Sequence, residues 1–262
     1  MQTQYARIPP CTGAEDPGKK KVPETDAIFD EIKRVREEAA QSEDQLLISC
    51  DAKAVVKIGE FSRDGESRVP VRALDHDYKP DGQVTPVGLL LPNNDELSIA
   101  VCTSKVTSDC IADRIEAFWI ENKPKFPKVD TLVILQDNGP ENSGRRTQFL
   151  YRMVGLTQRY QINIRLAYYP PYHSKYNPVE RCWGVLEKHW NGALLDTVEA
   201  VVGYAKSMTW KQEHPVVHLV TQAYESGVRL SKTAMKAVER KLSRLPHLPS
   251  WFIDINYEAE AV

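Results

Sequence analysis

At 262 residues the chain can bury one large core, and a composition 42% hydrophobic and 27% charged, with a formal net charge of −2, is that of an ordinary globular protein. No apolar run approaches the ~18 residues needed to span a bilayer and the N-terminus lacks a signal-peptide pattern, so neither a membrane-spanning helix nor a secreted precursor is expected. The cysteines (Cys11, Cys50, Cys102, Cys110 and Cys182) are scattered with no C-x-x-C, which speaks against a structural zinc site and for a reducing cytoplasm.

Residues 1–23 are rich in Pro, Gly and Lys and read as a disordered leader. An amphipathic helix is predicted over 24–41, with Ile28, Ile32 and Val35 on its apolar side. LLISCD, 46–51, is a short apolar run ending in an acid, as a buried strand would. The stretch 52–83 is irregular and turn-rich. TPVGLLL and ELSIAVCTS then flank LPNND as a hairpin, and a helix follows at about 108–122, with Ile111, Ile115, Phe118 and Trp119 inward. TLVILQD, 131–137, is a second apolar strand that runs into an acid. A helix at about 144–160, a strand at 162–168 and a helix opened by Asn177 succeed it, and 197–244 reads as helical throughout. This order predicts an α/β fold: a mixed sheet with helices on both faces over 45–196, preceded by the leader and one helix and followed by a helical C-terminal region at 197–262.

Functional groups in open α/β sheets gather at the carboxyl ends of strands, where Asp51 and Asp137 stand. If their strands are neighbours, the two carboxylates meet and repel, an arrangement that a hard divalent cation such as Mg²⁺ or Mn²⁺ relieves. A third acid is Glu180, in YYPPYHSKYNPVERCWG. Locally, Asn177 is a good N-cap, Pro178 suits the first helical position, and Glu180 falls where a capping box places its back-bonding carboxylate. The alternative is that the cap presents Glu180 to the two aspartates, building a two-ion centre for in-line phosphoryl transfer.

The blocks ISCDAKAVVKIGEFSR, LVILQDNGPENSGRRTQF and AYYPPYHSKYNPVERCWGVLEKHWNGALLDTVE resemble the Rhodopirellula-type DDE transposase family, bacterial insertion-sequence enzymes, over about residues 24–255. The resemblance implies a ribonuclease-H-like catalytic core. It also implies divalent-metal binding by Asp51, Asp137 and Glu180, with two Mg²⁺ or Mn²⁺ ions, and cleavage and joining of DNA at transposon ends. Partners would be transposon-end and target DNA and further copies of the chain in a synaptic complex, on the nucleoid of a bacterial cytoplasm. Such enzymes carry an N-terminal helix-turn-helix region; only about fifty residues precede Asp51, so a copy without that region is expected. An inactive DNA-binding transposon remnant and a stand-alone nuclease of the same fold are the alternatives.

Basic residues flank the acids between Arg145 and Lys188, and a second basic run spans Arg229 to Arg244. Such runs are usually solvated helix faces, but around one site they suit phosphate. The candidate DNA or phosphate contacts are Asn138, Arg145, Arg146, His173, Lys175 and Arg181. Glu141 reads as part of a turn, as do Asp75, His76 and Asp77. His214 and His218 have zinc-like spacing but no third ligand nearby. The tyrosines of YYPPY suit packing or the stacking of an unpaired base.

Overall fold

The structure is a computed structural model that describes residues 23–60 and 80–258. In chain order its elements are α1 (Thr25–Gln41), β1 (Gln45–Ala52), β2 (Val56–Ile58), β3 (Gly82–Leu91), β4 (Glu96–Cys102), α2 (Ser108–Asn122), β5 (Thr131–Asp137), α3 (Thr147–Tyr160) and β6 (Asn163–Tyr169). There follow α4 (Glu180–His189), α5 (Val198–Ser207), β7 (Val216–Val220), α6 (Lys232–Glu239), β8 (Leu242–Arg244) and β9 (Phe252–Ile255). The strands form one mixed sheet in the order β7-β4-β3-β1-β5-β6-β9-β8, with β2 paired to β3. β1, β5 and β6 run parallel at its centre, while the β3–β4 hairpin lies antiparallel against β1.

The period-2 alternation of the central strands decides which helix covers which face. Leu46, Ile48 and Cys50 join Leu132, Ile134 and Leu166 beneath α2 and α3, where Ile115, Trp119, Phe149 and Met153 complete the core. The intervening residues Leu47, Val133, Leu135, Ala167 and Tyr169 face Ile28, Ile32 and Val35 of α1. On that same side, further along the sheet, Leu90, Ile99 and Val101 pack against Val179, Trp183, Leu186 and Trp190. Ser49 and Asp51 are thus directed by alternation to the side of α1 and α4.

The expected helices and strands up to residue 189 form, with departures at several ends. β2 falls within the stretch read as irregular, α3 begins at Thr147 rather than 144, and β6 is shifted by one residue to Asn163–Tyr169. The leader (1–22) and Asp75, His76 and Asp77 lie outside the described residues. Continuous helix over 197–244 is not what forms. Only α5 and α6 are α-helical there; Val216–Val220 becomes β7, parallel to β4, and Leu242–Arg244 becomes β8, antiparallel to β9. Val-Val-His-Leu-Val follows Pro215 and is β-branched, and an open sheet edge offers it backbone partners that a helix would forgo. No helix among the described residues is long and apolar enough to cross a membrane.

Candidate active site

β1 and β5 are parallel neighbours with Cys50 in register with Gln136, so Asp51 and Asp137 emerge side by side from the same ends of adjacent strands. Glu180 reaches them because the turn before α4 is fastened to β1. Ser49 Oγ donates to Asn177 Oδ1 (2.5 Å), Asn177 Nδ2 donates to the Cys50 carbonyl (3.1 Å), and the Val179 N–H donates to Ser49 Oγ (3.0 Å). Both Ser49 and Asn177 are fully buried, where such bonds exclude water and fix geometry. Asn177 is therefore not the side-chain cap its position predicts. Helix α4 begins at Glu180; Ser49 on another strand takes the N–H of Val179 just before it, and the first helical N–H groups of Glu180, Arg181 and Cys182 bond to the carbonyls of Asn177, Pro178 and Val179. The turn presents Glu180 to the two aspartates: one oxygen from each of Asp51, Asp137 and Glu180 lies within 4.8 Å of the others.

Burial pushes the Asp51 carboxyl up to about 7, against the hydrogen bond from Trp183, and the charges of Glu180 and Asp137 add to the rise. Burial and then Glu180 push Asp137 up to about 6, with the Asn177 amide opposing. Trp183 stands one helical turn after Glu180, and its Nε1–H donates to Asp51 Oδ2 at 2.7 Å. Its indole fits because residue 88, in register with Asp51 on β3, is glycine. A Cβ there would lie 2.7 Å from Trp183 Cη2 and 2.9 Å from Val179 Cγ2. Neither residue was singled out from sequence as functional. Trp183 recurs at helical spacing with Val179, Leu186 and Trp190, the pattern of a core residue; a glycine inside an apolar strand, which marks close approach by a neighbour, is the available signal.

The donor set fits a hard divalent cation. All three converging groups are carboxylates, and Asp137 Oδ1 is buried without a hydrogen-bond partner. An orphaned carboxylate oxygen beside two like charges is costly unless a cation takes its lone pair.

The remaining candidates divide by position. Asn138 Oδ1 accepts from the Gly144 N–H at 3.2 Å and closes the loop after β5. Arg145 Nε donates to Ser250 Oγ at 3.1 Å, and Arg146 donates to Ser108 Oγ at 3.1 Å and pairs with Glu141 at 3.4 Å. Deeper in the basic run, Arg152 pairs with Asp109 and Asp113 across α2 and α3, Arg159 pairs with Glu116, and Arg165 with Asp254. Those three arginines brace the fold and are already compensated. His173 has its ring nitrogen 2.8 Å from the Pro171 carbonyl, Lys175 lies over the Tyr176 ring, and Arg181 is exposed. The histidine pair is split: His214 contacts the Met208 carbonyl and His218 lies 3.3 Å from Glu121.

The sequence profile of the Rhodopirellula transposase DDE domain matches residues 14–257. The chain belongs to that family. Among curated proteins no sequence matches this DDE-domain chain. Two solved structures share its fold. One is a Mos1 transposase paired-end complex with the left transposon end: TM-score 0.52, 10% identity, covering 77% of this chain and 57% of that one. The other is the Mos1 mariner paired-end complex with Mn: TM-score 0.53, 11% identity, covering 76% of this chain and 58% of that one. The chain thus spans a little under three-fifths of those proteins, and at such identity the likeness is one of ribonuclease-H-like fold.

Proposed function

We propose that this DDE domain cleaves DNA strands and transfers them in insertion-sequence transposition, with Asp51, Asp137 and Glu180 holding its divalent metal. The observation that carries this reading is the convergence of the three carboxylates at the ends of β1 and β5 and the start of α4, in a chain of this family. When bound, a pair of Mg²⁺ or Mn²⁺ ions would activate a water or a 3′-hydroxyl and offset the charge on the leaving oxygen. The chain's own side chains do the rest. Trp183 holds Asp51 by one oxygen and leaves the other for ligation, while Ser49 and Asn177 keep Glu180 in place. Lys175 and Arg181, exposed on either side of the turn that leads to Glu180, hold DNA phosphates, with His173 beside them. Asn138, Arg145 and Arg146, in the loop that follows β5, are further candidate contacts to DNA phosphates. In this reading residues 45–196 form the catalytic domain, and 197–262 lend strands to both edges of its sheet. Its partners are transposon ends, target DNA and a second copy of the chain, in the bacterial cytoplasm on the nucleoid.

The test is nicking of supercoiled plasmid and joining of a duplex bearing a 3′-hydroxyl to plasmid, in Mg²⁺ or Mn²⁺. The wild type nicks and joins. Asp137→Asn and Glu180→Gln lose both by orders of magnitude, while their melting in metal-free buffer does not fall below wild type and DNA affinity stays near it. A variant as active as wild type, or a wild type without activity, removes the reading. Nicking without joining leaves a nuclease.

A further inference from the structure

Beside the acids lies a recess whose lining, Arg181 apart, the proposed chemistry does not use. It has a volume of about 450 Å³ and is walled by α1, the end of β6 and the start of α4. Phe29, Tyr169 and Tyr176 supply aromatic surface and Lys33, Arg36 and Arg181 supply charge. Its position follows from register and chain adjacency. Tyr169 is the registered partner of Asp137, and Arg181 follows Glu180, so the recess opens within one residue of two of the three acids.

Two of its three positive charges are not consumed by ion pairs of the fold. Lys33 lies 3.9 Å from Glu37, a fellow wall residue. Elsewhere on this side Arg34 is paired with Glu31, and Arg165 with Asp254 and Glu38. Arg36 and Arg181 form no ion pair among the described residues, and both are exposed. Tyr169 is 2% exposed, and its hydroxyl is buried near the Arg36 guanidinium without a well-formed hydrogen bond. The aromatic wall is ordered by its own contacts. Phe29 and Tyr176 meet edge to face at 5.1 Å, and His173 stacks on Tyr176 at 6.0 Å, while Tyr176 stays 47% exposed. A ring fixed in orientation but open to solvent can take a further flat ring at little entropic cost.

The volume falls within the ~300–1,000 Å³ of small-ligand sites and is far too small for a double helix. Aromatic surface flanked by uncompensated arginines is the chemistry that binds unpaired nucleotides, since every base has a face to stack and every link a phosphate. A paired base hides both its faces in the stack and cannot use this wall. We propose that the recess seats one unpaired nucleotide of the DNA strand running past the acids, its base against Tyr176 and Phe29 and its phosphate between Arg36 and Arg181. This assignment rests on the DNA-processing reading above. It adds to it that strands open beside the scissile phosphate.

The test compares a labelled blunt duplex with the same duplex carrying a 3′ or 5′ thymidine overhang, by fluorescence anisotropy of the whole chain in EDTA. The wild type prefers one of the overhang probes by about fivefold or more. Tyr176→Ala removes the preference without weakening blunt-duplex binding, and Tyr176→Phe retains it. Arg36→Gln lowers the salt slope of log K for the overhang probe by about 0.7, one single-strand phosphate. Both side chains are exposed, and each variant's melting curve checks its fold. Equal affinity for all probes, equal losses on blunt and overhang DNA, or no binding at all overturns the proposal. Because EDTA suppresses cleavage, the two readings fail separately. Overhang preference in a chain that never nicks with metal spares the recess, and nicking without overhang preference sinks the recess alone.

Discussion

Asp51 accepts its hydrogen bond from an indole that has room only because the residue opposite, Gly88, has no side chain. This pair acts on the carboxylate through geometry, and two substitutions separate its parts. Trp183→Phe keeps most of the buried ring and removes the N–H, so stability falls by only about 1–3 kcal/mol, the cost of one hydrogen bond to a charged group. Mn²⁺ affinity should fall as well, by about 10–100-fold, the usual consequence of removing a group that orients a ligand. Gly88→Ala places a methyl at 2.7–2.9 Å from the indole and Val179, and overpacking of that kind costs about 1–3 kcal/mol. It should weaken Mn²⁺ binding too, although it deletes no polar contact. Melting curves and a Mn²⁺ titration on both variants check this; unchanged Mn²⁺ affinity in both would reduce Trp183 to a packing residue.

Helix α4 owes its starting point to strand β1. The Val179 N–H and the Asn177 Oδ1 both end on Ser49, so one hydroxyl, alongside the bond from Asn177 Nδ2 to the Cys50 carbonyl, ties β1 to the turn before α4. Ser49→Ala leaves Asn177 Oδ1 and the Val179 N–H buried without that partner, and each unsatisfied group costs about 1–3 kcal/mol. The expected phenotype is a lower melting temperature, an unchanged far-ultraviolet helical signature and weaker Mn²⁺ binding; a variant that melts and binds like wild type would leave α4 to be set by its apolar face alone. That apolar face was legible in sequence, since Val179, Trp183, Leu186 and Trp190 recur at helical spacing and all are buried. The aspartates were equally legible, because an apolar run that stops at an acid marks a strand's carboxyl end. The fastening through Ser49 was not: a serine inside LLISCD looks like any polar interruption until the partner strand or helix is known. The same limit explains β7 and β8. Val216–Val220 pairs with β4, a strand distant in sequence, and such pairing leaves no period of its own; Leu242–Arg244 pairs with nearby β9 but is three residues long, too short to show an alternation.

Across the whole molecule the site couples stability to pH and to metal. Asp51, pushed up to about 7, and Asp137, pushed up to about 6, hold protons in the folded chain that the unfolded chain releases near the ordinary carboxylate value of 3.8. Between those limits the folded state binds more protons than the unfolded state, so this contribution to stability falls as pH rises. It is fully present below about 4 and lost once pH passes about 7. In metal-free buffer at pH 8, Asp51→Asn should therefore melt above wild type, since the amide oxygen can still accept from Trp183 without carrying charge. The gain should shrink toward pH 5. Metal reverses the sense, because a cation binds only the ionised carboxylates and competes with the same protons. Added Mn²⁺ should raise the wild-type melting temperature most at and above pH 7, with the increment declining through 6 and nearly gone at 5, as stabilisation follows affinity. Melting curves of both proteins with Mn²⁺ and with EDTA across that range decide it. A Mn²⁺ increment independent of pH would place the ion away from the buried acids, and an Asp51→Asn variant no more stable than wild type at pH 8 would mean that the clustered charges cost the fold nothing.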